Sequence, residues 1–147
     1  MKWKKECCLV IVLVFCLMLS GCKLYEGPYT FRQEAAAVEK VEICTYDKIT
    51  KERTPIVELL GEDAKNIVSE FHAMDCHEYF PGDHPRTYGL IIFCIQYDNG
   101  ETDVVGMYNI GWISAGGEWH LTDYYFDWAE MRNMVERYVP EEYWPEY

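Results

Sequence analysis

Apolar and polar positions along the chain recur in two rhythms, and the rhythms divide it into elements. Between Glu62 and Met74 the apolar residues Ala64, Ile67, Val68, Phe71 and Met74 recur at intervals of three and four, which lays one stripe along a helix. Glu62 and Asp63 fall in its first turn, where the helix dipole favours negative charge. A second stripe, Trp128, Met131, Met134, Val135 and Tyr138, predicts a closing helix. Asp127 stands where it caps that helix, with Glu130 three residues on to complete a capping box and Phe126 to staple against Met131. Pro140 stops it.

The other rhythm is alternation. Val38 to Tyr46, with Val41, Ile43 and Cys44 among strand-prone neighbours, predicts a strand, and the charged segment Asp47 to Arg53 a turn. Thr54 to Leu60 predicts a second strand, with Ile56, Glu58 and Leu60 on one face, Val57 and Leu59 on the other, and Pro55 at an edge position. A short helix starting at Pro55 is the competing reading. Met74 to Arg86 reads as a polar loop broken by Pro81, Gly82 and Pro85. Tyr88 to Tyr97 contains the run Leu90-Ile91-Ile92-Phe93-Cys94-Ile95, apolar on both faces, and predicts the central strand. Asn99-Gly100 suits a type I′ hairpin turn, and Thr102 to Tyr108 returns as its partner. Ile110 to Ser114 and Glu118 to Thr122 form a second hairpin around Ala115-Gly116-Gly117, with Trp112 and Trp119 meeting across it.

The expected fold is α+β: an antiparallel sheet of about five strands with two helices packed on one face, so that both stripes are covered. One domain over residues 38–140 accounts for it, preceded by a spacer over 22–37 and followed by an acidic, aromatic tail over 141–147.

The first residues follow a different logic. Lys2, Lys4 and Lys5 precede an unbroken apolar run from Cys7 to Leu19, the order of a secretory signal. The run is well short of the roughly 20 apolar residues that span a bilayer. It ends in Leu19-Ser20-Gly21-Cys22, which resembles the lipobox of bacterial lipoproteins. The resemblance implies a signal peptide over residues 1–21, cleavage between Gly21 and Cys22, and a thioether-linked diacylglycerol on Cys22. No other cofactor is expected. It further implies residence on the extracytoplasmic face of the cell membrane, where palmitate-type acyl chains on Cys22 form the anchor. Two chains hold a protein stably where one does so marginally. Residues 38 to 138 also resemble small lipoprotein domains of Gram-positive bacteria, through Leu59-Leu60-Gly61-Glu62-Asp63-Ala64, the Asn99-Gly100 hairpin and the Gly116-Gly117 turn. That second resemblance brings no activity with it.

Charge narrows the partners. The chain carries 13 basic and 25 acidic residues, and loss of the signal takes three lysines and one glutamate, leaving a net charge near −14. Such a surface argues against nucleic acid and against electrostatic docking on anionic lipid. Membrane affinity is therefore expected from Cys22 alone.

Of seven cysteines, Cys7, Cys8 and Cys16 leave with the signal and Cys22 takes lipid, so Cys44, Cys76 and Cys94 remain. Two of these can pair, but no dense disulfide framework exists. Cys44 and Cys94 fall in strands, where a small buried thiol is ordinary.

Candidate chemistry concentrates in one stretch. His72, Cys76, His77 and His84 gather imidazole and thiol near Asp75, Glu78 and Asp83, ligand types that zinc and copper accept. Their spacing follows no standard metal motif. Cys76-His77 lacks an orienting third group for nucleophilic catalysis, and neither Ser69 nor Ser114 sits in a Gly-x-Ser-x-Gly elbow. No catalytic motif is recognised. Aromatic residues make up 16% of the chain, and Tyr79-Phe80, Trp112, Trp119, Tyr124-Tyr125 and Tyr143-Trp144 fall in or beside loops, where they either fill a core short of leucine or anchor an interface. Three functions remain open: a binding module for a protein or envelope partner, a metal-binding lipoprotein, and an envelope hydrolase.

Overall fold

The computed structural model describes residues 24–47, 49–78, 90–107, 109–113, 119–122 and 124–145. Its α+β architecture has two antiparallel sheets. The larger runs in the order β3-β2-β5-β6-β7-β8, with β2 at Val38–Tyr46, β3 at Arg53–Leu60, β5 at Leu90–Tyr97, β6 at Thr102–Gly106, β7 at Asn109–Ile113 and β8 at Trp119–Leu121. The smaller joins β1 (Glu26–Pro28), β4 (Asp75–Glu78) and β9 (Tyr124–Phe126), with β4 in the middle. Two helices complete the fold: α1 over Gly61–Ala73 and α2 over Trp128–Tyr138.

The elements form for the reasons the patterns suggest. The α1 stripe of Ala64, Ile67, Val68 and Phe71 is buried, as are Met131, Met134 and Val135 of α2. Asp127 caps α2 by accepting from the backbone N–H groups of Ala129 and Glu130. Strand β5 is interior, lying between β2 and β6, and Ile91, Ile92, Phe93 and Ile95 are all buried. Thr54–Leu60 is strand and not helix, with Pro55 opposite Cys44 where the β2–β3 register shifts. Strand β3 is the outer strand of the sheet, and an edge position beside an irregularity is where a strand tolerates proline.

Phe71 of α1 joins the two sheets. Its ring meets Phe93 of β5 edge-on at 5.3 Å and stacks on Phe126 of β9 at 5.7 Å. A single core therefore runs from the large sheet through α1 to the small one. The helices are tied to each other by Glu70, which accepts from the Arg137 guanidinium and from the Tyr138 hydroxyl.

Four local expectations are corrected. The spacer expected over 22–37 is folded from its first described residues: β1 pairs with β4, Phe31 is buried, and a 3-10 turn covers Ala35–Ala37. The expected loop after Met74 opens with β4. The Asn99-Gly100 turn is not type I′, because Gly100 alone takes a positive φ, +81°. Gly100 N–H donates to Tyr97 O, and Tyr97 N–H donates to Glu101 O, the pattern of a type I turn closed by a left-handed glycine bulge. Finally, β7 and β8 pair with Trp112 opposite His120 and Trp119 opposite Ile113, so the two tryptophans are not cross-strand partners.

The large sheet is strongly curled. Tyr46 of β2 and Trp119 of β8 are separated by β5, β6 and β7, about 19 Å across a flat sheet at ~4.8 Å per strand. Their rings nonetheless meet at 5.2 Å. The face away from α1 is therefore concave. Gly111 on β7 makes room for this: a Cβ there would stand 2.0 Å from Trp119 Nε1 and 2.8 Å from the His120 carbonyl oxygen.

Candidate functional site

The residues singled out in the sequence do not gather at one point. His72, near the end of α1, stacks on Phe31 at 4.7 Å and holds its Nδ1 4.0 Å from a Glu34 carboxylate oxygen. Its Nε2 is buried without a hydrogen-bond partner. Cys76 on β4 is buried, and burial pushes its thiol up to about 11. His77 follows on the same strand and so points to the opposite face, where it lies 5.5 Å from the Tyr125 ring. Phe31 fills the space between the two sides of the set: it stacks on His72 and lies 6.5 Å from Phe126, the cross-strand partner of Cys76. Among the described residues no three His, Cys, Asp or Glu side chains are grouped to hold a metal ion. His84 lies outside the described residues, as do the lipobox positions Leu19, Ser20, Gly21 and Cys22. Among the described residues, no helix is long and apolar enough to cross a membrane.

What the fold does assemble beside the point of chain entry is an aromatic cluster. Tyr124 at the start of β9 meets Tyr25 edge-on at 5.7 Å and Tyr29 at 5.8 Å. Tyr29 in turn meets Phe31 at 5.0 Å. Glu78 fixes this corner, since its carboxylate accepts from Tyr25 N–H and its own N–H donates to Tyr25 O. Tyr25 is 43% exposed and Tyr29 and Tyr124 are half-buried, so the cluster combines packing with an open face.

The same N-terminal segment is clasped at its other end by Asp103 of β6, which is only 2% exposed. Asp103 Oδ2 accepts from Arg32 N–H and from the Tyr97 hydroxyl, each at 2.9 Å, and Oδ1 lies 3.4 Å from Arg32 Nε. Burial raises the Asp103 carboxyl above the usual range, opposed by its bonds to the Arg32 backbone and to Tyr97. Burial, reinforced by the Asp103 charge, raises the Tyr97 hydroxyl as well. At the rim, Gln33 and Asn99 donate to the Glu101 carboxylate and hold it below its usual value.

The concave face of the large sheet carries two thiols. Cys44 on β2 and Cys94 on β5 occupy the same face, with Cys44 opposite Ile92 and Cys94 opposite Glu42. Arg53, opposite Tyr46 on β3, reaches over β2 and donates from Nη1 to Cys94 Sγ at 3.7 Å. The neighbouring Cys44 thiol lowers Cys94, helped by Arg53 and opposed by burial, while Cys44 itself is raised by Cys94 and by burial. No sequence signal marked this trio, because it depends on the register of three strands. All three described cysteines are free thiols.

No protein-family model, no curated protein and no solved structure matches this chain.

Proposed function

We propose that the chain is a lipoprotein held on the extracytoplasmic face of the membrane through diacylglyceryl-Cys22, and that its domain binds a protein or envelope partner. The order of charge, apolar run, small residues and cysteine in residues 2–22 supports the anchor. The observation that carries the binding reading is the Tyr25–Tyr29–Tyr124 cluster, open on one side, with Tyr25 only three positions from Cys22 in the chain. Tyrosine supplies large, stiff contact area at low entropy cost, which is why it dominates binding surfaces. The cluster asks for no catalytic residue.

Two measurements in intact cells test the two halves separately. Labelled palmitate enters the wild-type chain and not Cys22→Ser; label in neither refutes the anchor. A photo-crosslinking residue at Tyr124 yields a discrete adduct that Tyr25→Ala abolishes. Absence of any adduct, with the chain exported and folded, refutes the binding module.

A further inference from the structure

We propose that Cys94 is a thiol-modification site, which takes up half of a low-molecular-weight disulfide as a lasting mixed disulfide, with Cys44 and Arg53 as its positioning residues. The site is independent of the anchor and of the tyrosine cluster.

Three features of the geometry lead here. First, Cys94 is half-buried on the concave face and is the most exposed of the three described thiols, whereas Cys44 is 2% exposed and Cys76 lies in the core. Second, the Arg53 guanidinium from β3 donates to the Cys94 sulfur at 3.7 Å, and the Cys44 thiol from β2 is its diagonal neighbour on the same face. A sulfur that accepts from a cation is stabilised as thiolate, the form that attacks disulfides, and the neighbouring Cys44 thiol lowers Cys94 further. The opposing influences are burial and Glu42, which faces Cys94 across the ladder. Glu42 is itself engaged by Lys40 Nζ at 2.6 Å, which offsets its charge.

Third, the register separates donor from resolving thiol. Cys44 and Cys94 are diagonal neighbours, not opposite each other. Residues of such a diagonal pair lie about 7–8 Å apart, their β-carbons somewhat less, while a disulfide needs the β-carbons at about 3.8 Å. Two such thiols can be neighbours, but they cannot join without movement of the strand backbones. Phe93 and Ile95 are packed on α1's side of β5 and Ile92 is buried on the other, so moving this strand is costly. Cys44 therefore activates Cys94 without displacing what Cys94 has bound.

The reaction balances simply. Cys94 Sγ, as thiolate, forms a bond to one sulfur of the incoming disulfide. The S–S bond breaks, and the other half leaves as a thiolate that takes its proton from solvent. Cys94 is oxidised and the leaving half is reduced.

The test uses the full chain in detergent, with glutathione disulfide as probe and the adduct mapped by peptide mass. Folded protein at neutral pH forms the adduct on Cys94 about tenfold faster than urea-unfolded chain, in keeping with a larger thiolate fraction, and Cys44 stays free. Cys44→Ala and Arg53→Gln slow the reaction and move its pH midpoint up. Cys44→Ser and Arg53→Lys, which keep a donor and a charge, restore the midpoint, a result that separates activation from mere packing. A Cys44–Cys94 disulfide in place of the adduct overturns the proposal. So does labelling of folded Cys94 no faster than of unfolded chain, or pH midpoints unchanged in both weakened variants.

Discussion

The Tyr97 hydroxyl and the Arg32 backbone N–H converge on the same oxygen of Asp103, each at 2.9 Å. Tyr97 ends β5 and Asp103 lies in β6, while Arg32 belongs to the segment that enters from the N-terminus. A single buried carboxylate thus joins the hairpin to the incoming chain. A buried polar group left without its partner costs the full desolvation penalty, whereas an intact bond contributes only modestly. Asp103→Ala, which orphans both donors, is expected to lower stability by about 3 kcal/mol, and Tyr97→Phe by about 1 kcal/mol. Urea unfolding measures both, and equal effects would contradict this assignment.

The same carboxyl makes a pH prediction with a definite sign. Burial raises it in the folded state. Its contribution is therefore greatest below the unfolded value of about 3.9 and is lost as pH rises through the folded value. The stability of the wild type relative to Asp103→Asn falls from about pH 4 upward and then levels off. Glu101 and the other carboxylates are common to both proteins and cancel. Paired urea titrations across the acid range check it, and a difference that grows with pH would reverse the assignment.

Residues 24–37 belong to the domain, and Phe31 is the position that shows it. Its ring is 7% exposed and contacts Tyr29, His72 and Phe126. Phe31→Ala is expected to cost about 3–5 kcal/mol, the range for a buried phenylalanine. A flexible spacer would lose less than about 0.5 kcal/mol on the same change. Thermal or urea unfolding of the variant decides between them.

Gly111 predicts the cost of a single methyl group. Its Cβ would collide with the Trp119 indole and with the His120 carbonyl oxygen, and the latter is backbone that cannot swing away. Gly111→Ala should lose about 1–3 kcal/mol, typical of overpacking, with a change in tryptophan fluorescence as the indole is displaced. Adding Trp119→Ala removes one obstacle and leaves the other, so full rescue is not expected.

Long elements with a strong period were legible from sequence, and the reason is physical. Ala64, Ile67, Val68 and Phe71 need one partner face to be buried, and β2 and β5 supply it wherever they lie. The run Ile91-Ile92-Phe93 announces burial on both sides without reference to any other residue. The small sheet was not legible: β1, β4 and β9 have three or four residues each, too few for alternation, and Glu-Gly-Pro or Asp-Cys-His-Glu carries no strand propensity. Each exists because its neighbours do. The same holds for chemistry. Nearness in sequence suggested His72, Cys76 and His77 as a set, but adjacent strand positions face opposite ways. Cys44, Arg53 and Cys94 converge because β3, β2 and β5 are laid side by side, a relation no local stretch contains.

The folded N-terminal segment has a mechanical consequence. Any tether at Cys22 transmits its pull to the three paired residues of β1, to the Phe31 ring and to the Arg32–Asp103 clasp. Those contacts rest on β4, on His72 of α1 and on Asp103 of β6, so the pull is shared at once between both sheets and the first helix. The entering strand therefore couples a tether to the whole core and not to the small sheet alone.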